Sequence, residues 1–237
     1  MQKLRLLFFP LALLLWYSGL FREIDIKLAY FFNDWIRYSP FIQNITALLN
    51  SKTGDWIYDL IIVLFIIPYV ISGGKEKWMK RLITSFLLLG FAVFCYFLWN
   101  RFFFRTCLDL KCQSPSKALP DLFSLSSAID WIKIKQRASS SYPSGHGSTI
   151  FMFIVGTYYT MGRKVGLLAT FISIPFILPR LLVGAHWTSD FLLGSLPLAL
   201  FNLEWFSYLI LRRLYALKLI GEKLQKTLRP NKAGSPS

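Results

Sequence analysis

Two short segments carry the residues best suited to chemistry: Tyr142-Pro143-Ser144-Gly145-His146-Gly147, and Arg180-Leu181-Leu182-Val183-Gly184-Ala185-His186-Trp187-Thr188-Ser189-Asp190. They hold both histidines of the chain, each where an apolar run meets a polar one. A histidine at the end of a membrane helix is costly to bury and easy to charge, so two of them near one interface read as a site rather than as packing. His186 and Asp190 are four apart and share a helix face. The carboxylate can therefore hold one ring nitrogen while the other points outward, which is the base-and-orienter half of a catalytic triad. Arg180 offers a fork of donors to phosphate oxygens. On the other segment, Pro143 suits the entry to a helix, Ser144 suits its cap, and Gly145 lets an anion approach the amides at the positive helix end. His146 then stands where a leaving oxygen needs a proton. HExxH spacing and clustered carboxylates are missing from the sequence, so neither a metal nor a cofactor is expected.

Taken singly, each pattern has a bland reading. Pro-Ser-Gly-His is commonly a loop-to-helix turn, and His-x-x-x-Asp is commonly a helix-end contact. What outweighs these readings is the combination with Arg180, provided that the fold brings both segments to one surface.

The elements that must do so are membrane helices. A chain of 237 residues with 54% hydrophobic and 17% aromatic content is too apolar for a soluble domain. Its net charge of +15 could mark a nucleic-acid binder, but the Lys and Arg residues lie mostly in short segments between apolar runs. Charge there encodes orientation, so membrane lipids rather than nucleic acid are the expected surroundings. The reading is an all-α integral membrane protein, a bundle of six transmembrane helices spanning about 4–20, 56–71, 82–104, 144–161, 165–182 and 187–211. The first is expected to be a retained span rather than a signal peptide, because no small-residue cleavage site follows it. Residues 21–54 mix charge with apolar residues at helical spacing and are expected to form an interfacial amphipathic helix between the first two spans. Asp55 and Asp59, one turn apart, are either interface residues or partners for a buried cation. Residues 212–237 read as a basic cytoplasmic tail drawn to anionic lipid.

With six crossings, Lys75, Lys77, Lys80, Arg81, Arg163, Lys164 and the tail fall on one side, which the positive-inside rule makes cytoplasmic. The starts of the fourth and sixth spans then share the opposite face. The loop 105–142 lies there too, and its excess of Lys and Arg suits an anionic partner. Cys95 is expected to pack inside the third span, while Cys107 and Cys112 are equally open to a disulfide or to two thiols.

These residues resemble the type 2 phosphatidic acid phosphatase superfamily. Its second signature is similar to Pro143-Ser144-Gly145-His146, and its third, Ser-Arg-x5-His-x3-Asp, to the run from Arg180 to Asp190. The resemblance implies six helices with the site at the outer face and a lipid phosphate as substrate. It also implies His186 as the nucleophile, Asp190 as its orienter and His146 as general acid, with Arg180, Ser144 and Gly145 holding the phosphate. Pro179 stands where the family has Ser, and the first signature, Lys-x6-Arg-Pro, is not intact; Lys111, near Arg105 and Ser114-Pro115, is taken as its cation. Within the superfamily, Tyr30-Phe31-Phe32-Asn33, Ala47-Leu48-Leu49-Asn50 and Gly184-Ala185-His186-Trp187 resemble the inner-membrane lipid A 1-diphosphate synthases, which transfer phosphate from undecaprenyl diphosphate. A plain hydrolase of undecaprenyl diphosphate, lipid A phosphate or phosphatidic acid is the alternative, since only the attacking oxygen differs. A non-catalytic lipid-phosphate binder is the alternative of another class, against which the complete His146, Arg180, His186 and Asp190 set argues.

Overall fold

A computed structural model describes residues 2–208. The described chain is helical, apart from one isolated bridge between Ser51 and Ile134. In order come α1 (Gln2–Tyr17), α2 (Arg22–Arg37), α3 (Pro40–Leu49), α4 (Lys52–Ile71) and α5 (Gly74–Cys95), the last continued by a π-helical segment, Tyr96–Cys107. The single turns α6 (Pro115–Ala118) and α7 (Leu125–Ala128) interrupt the loop that follows. Then come α8 (Gly145–Met161), α9 (Arg163–Leu182), a second π-helical segment (Asp190–Ser195) and α10 (Leu196–Phe206).

Among the described residues, three helical stretches are long and apolar enough to cross a membrane: Lys52–Ile71, Lys77–Cys107 and Arg163–Leu182. They contain the second, third and fifth of the expected spans. The pair Leu7–Tyr17 and Arg22–Arg37 would add a fourth only as one span bent by 84°. Residues 209–211 of the last expected span and the whole basic tail lie outside the described residues. Leu60, Leu64 and Ile67 on α4, Phe86 and Phe94 on α5, Phe97 on its continuation, and Leu168, Phe171 and Ile174 on α9 are exposed. Apolar faces of this extent do not suit water, and the protein is a membrane protein.

The segment 21–54 corrects the expectation of a single amphipathic helix. It forms two helices, because Pro40 has no amide to continue α2 and disfavours helical backbone at Ser39. Ser39 instead caps α3, its hydroxyl accepting from the Ile42 amide at 3.3 Å. The fully buried Asn33 then ties α2 to two other parts of the chain. Its Nδ2 donates to the carbonyls of Phe123 (3.2 Å) and Leu182 (3.0 Å), and its Oδ1 accepts from the Phe123 amide at 2.6 Å.

The core sits where α4, α8 and α9 meet, with Tyr58, Ile62, Ile150, Phe153, Ile154, Ala169 and Phe176 buried together. A second cluster joins Ile36 and Ala47 to Leu182, Val183 and Ala185, so α2 and α3 brace the end of α9. At the far end of the bundle, Tyr69 near the close of α4 donates to the Thr160 carbonyl near the close of α8, at 3.2 Å. Arg81 donates to the Tyr69 carbonyl at 2.8 Å. The starts of α4 and α8 therefore lie at one end and their finishes at the other.

Candidate active site

Asp55 lies in the first turn of α4, whose start is capped by the Ser51 hydroxyl accepting from the Gly54 amide at 3.2 Å. Its Oδ1 accepts from Arg180 Nη2 at 2.7 Å and is 2.8 Å from His146 Nε2; its Oδ2 accepts from Lys135. Three distant parts of the chain thus converge on one carboxylate: the end of α9, the start of α8 and the loop before it. Lys135 is held there by the backbone, since its amide donates to the Asn50 carbonyl (3.1 Å) and its own carbonyl accepts from Asn50 Nδ2 (3.0 Å). Arg180 is buried, and its Nε finds no partner among the described residues.

Asp55, Asp59, Gly145, His146 and Arg180 line a cavity of about 270 Å³ whose remaining wall is largely apolar, including Leu49, Val93, Ile150 and Phe176. Ser144 is fully buried beneath it and is committed to the helix cap: its hydroxyl accepts from the Gly147 amide at 3.1 Å. Gly145 presses on the π-helical segment, where a Cβ would come within 2.8 Å of the Tyr96 ring. Beside it, Asn100 is buried with neither amide atom partnered among the described residues.

His186 follows a tight turn at the end of α9. Gly184 takes φ +66°, a left-handed conformation that favours glycine, and the chain folds back so that the Ala185 and His186 amides reach the Arg180 carbonyl at 2.9 and 3.4 Å. His186 Nδ1 is 3.3 Å from Asp190 Oδ2, which also accepts from the Trp187 amide at 3.0 Å. Asp190 is fully buried, and the His186 side chain is 13% exposed with its ring edge-on to Phe191. His186 is not among the cavity-lining residues; it joins the cavity groups through the Arg180 backbone.

A second link runs through Ser195, whose hydroxyl donates to the carbonyls of Asp190 (3.0 Å) and Ser144 (2.9 Å). Gly147 makes this approach possible, because a Cβ there would lie 2.7 Å from both the Phe191 ring and Ser195 Oγ. The two sequence segments, whose nearest residues Gly147 and Arg180 are 33 apart, are thus linked through Ser195 at one end of the bundle.

Lys111 does not join this set. It pairs with Asp109 at 2.9 Å, its side chain 77% exposed. It lines a different cavity of about 500 Å³ with Arg22, Asp25, Cys112, Trp187 and Ser189. The cation beside Arg180 is Lys135, which the sequence reading counted only among the loop charges. Of the two roles open to Asp55, the structure gives it that of partner to a buried cation, Arg180, with the more exposed Lys135 on its other oxygen. Two acids one turn apart at the start of an apolar span, Asp55 and Asp59, are the signal that points to this role. Asp25 was also unforeseen at the site. Its carboxylate accepts from both the amide (2.9 Å) and the hydroxyl of Ser189, and so caps the helical turn that carries Asp190. Burial raises the Asp25 carboxyl above its ordinary range and the nearby Asp190 adds to this, while the Ser189 bonds pull the other way. Cys107 and Cys112 are free thiols, the latter pushed up to about 11 mainly by burial.

A guanidinium, two histidines, a histidine-holding carboxylate and a helix N-terminus thus gather at one end of the bundle. The protein is an enzyme of the lipid phosphatase and phosphotransferase class. Residues 107–213 match the sequence profile of the PAP2 superfamily. It is also 26% identical over 200 residues to the lipid A 1-diphosphate synthase of Escherichia coli (strain K12), which covers 82% of each chain. No solved structure matches the chain.

Proposed function

We propose that the chain transfers a phosphoryl group from a lipid diphosphate, by way of a phosphohistidine on His186, at the periplasmic face of the bacterial inner membrane. The observation that carries this reading is the convergence of Arg180, His146 and Gly145 on one cavity, with the His186–Asp190 pair bonded to the Arg180 backbone. With Nδ1 held by Asp190, Nε2 of His186 carries the lone pair that forms the N–P bond. Arg180 and the first amides of α8, which have no helical partner, take the charge on the non-bridging oxygens. His146 gives its proton to the lipid oxygen as the P–O bond breaks. In the second half, His146 removes a proton from the attacking oxygen as the N–P bond opens. Transfer to a lipid phosphate such as lipid A follows if that oxygen is a phosphate's, and hydrolysis if it is water's. The resemblance to a lipid A 1-diphosphate synthase supports undecaprenyl diphosphate as donor and lipid A as acceptor.

In this reading α1, α4, α5 with its π-helical continuation, α8, α9 and α10 with the π-helical segment before it are six spans, and α2 and α3 lie at the outer interface. The end of the bundle bearing Tyr69, Arg81 and Thr160 is then cytoplasmic, as are both termini, in accord with the positive-inside rule. The cavity wall of Val93, Ile150 and Phe176 suits a lipid chain leading to the phosphate.

The experiment offers radiolabelled undecaprenyl diphosphate to the detergent-solubilised protein with and without lipid A, scoring free phosphate against modified lipid. Label on lipid A supports transfer, and free phosphate alone supports the hydrolase. Neither product from a folded protein would refute the proposal, as would undiminished activity in His186→Ala.

A further inference from the structure

Asp55 stands in an unusual place for a carboxylate in a phosphate site. One of its oxygens bonds both Arg180 Nη2 (2.7 Å) and His146 Nε2 (2.8 Å), and the other takes Lys135. On the functional reading above, on which this inference rests, Arg180 grips a phosphoryl oxygen and His146 protonates the leaving one. An oxygen bonded to both groups is where an oxygen of the substrate would lie. We propose that Asp55 is a built-in competitor for the phosphate subsite, and that it thereby makes the enzyme discriminate between lipid-borne phosphate and free inorganic phosphate.

The physical argument is one of unequal rivals. Asp55 is tethered in the first turn of α4, so it competes at a high effective concentration with anything that diffuses in. A free phosphate ion brings only charge and hydrogen bonds, and must displace a carboxylate already making them. A lipid phosphate brings the same oxygens together with a chain for the apolar wall of Leu49, Val93, Ile150 and Phe176, and it arrives confined to the bilayer. It can displace Asp55 where the free ion does not. The released carboxylate is negative and next to the phosphoryl group, so it also favours departure of inorganic phosphate after hydrolysis. Asp59, one turn further along α4, lines the same cavity and adds to the barrier against small anions.

The test is the full chain in detergent, melted against increasing orthovanadate, for wild type and Asp55→Asn. The variant keeps the shape and loses the competing charge. Its half-saturating vanadate concentration should fall by roughly tenfold or more, the value of one charge-assisted bond. In turnover, vanadate inhibition should tighten by more than the KM for the lipid changes. An unchanged or weaker vanadate affinity would overturn the proposal, leaving Asp55 as a strut between cations. If Asp55→Asn does not fold, a structure of wild type with vanadate decides: Asp55 drawn away from Arg180 supports the inference, and the contact kept beside bound vanadate overturns it. The melts need no turnover, so a protein inactive on lipid diphosphate would sink the functional reading while the vanadate arms still read this one.

Discussion

Asn33→Ala is the sharpest probe of how the site end of the bundle is assembled. Asn33 is fully buried on α2 and makes three hydrogen bonds, two to the Phe123 peptide neighbourhood and one to the Leu182 carbonyl. The alanine variant loses all three and leaves the part-buried Phe123 amide without its partner. At about 1 kcal/mol net for each bond, the loss is about 3 kcal/mol. For a chain of this size each kcal/mol moves the melting temperature by about 2–4 °C, so the variant should melt about 6–12 °C lower. Asn33→Asp should fall at least as far, because it sets a carboxylate against two carbonyl oxygens. The assay is a thermal melt in detergent, with activity measured well below both midpoints. Activity should drop too, since Leu182 lies two residues before the Gly184 turn that places His186. A melt within about 2 °C of wild type would refute the claim that α2 is pinned to the end of α9 by this side chain.

Three further outcomes follow from named contacts. Arg180→Lys keeps the charge but loses the planar fork of donors offered to the phosphate, and should lower kcat/KM by about 100-fold with the melt little changed. Gly147→Val places its Cβ into the Phe191 ring and Ser195 hydroxyl, both 2.7 Å away, and should cost about 1–3 kcal/mol in the melt while separating Ser144 from Asp190. For Asp25, the folded carboxyl is raised above its unfolded value, so its ionisation opposes folding: the penalty is absent below about pH 4 and grows as pH rises toward the folded value. Wild type should therefore lose stability relative to Asp25→Asn as pH rises above about 4, and parallel pH profiles of the two melts would contradict this.

The parts of this fold legible in the sequence are those governed by local physics. Long apolar runs declare α4, the α5 continuation and α9, and the helix start at Ser144 is written in its cap residues. The break between α2 and α3 was also written, as Ser39-Pro40, but apolar spacing running through residues 21–54 masked it. The histidine segments were recognisable from residue types and spacing, whereas the contacts that join them were not. Asp55 meets Lys135, His146 and Arg180 across 80, 91 and 125 residues, and no local pattern encodes pairing over such separations. Lys111 was favoured for its nearness to Ser114-Pro115, yet loop residues are placed by backbone bonds elsewhere, and it is Lys135 that Asn50 fastens beside the cavity.

The central claim is that His186 becomes phosphorylated, and trapping that intermediate tests it most directly. Detergent-solubilised protein is mixed with undecaprenyl diphosphate labelled with phosphorus-32 in the terminal phosphate and quenched in base within the first turnover, and the label is mapped by peptide. The account predicts acid-labile, base-stable label on the peptide containing His186, absent in His186→Ala. Label on another residue, or full turnover with no labelled protein at any quench time, would contradict it.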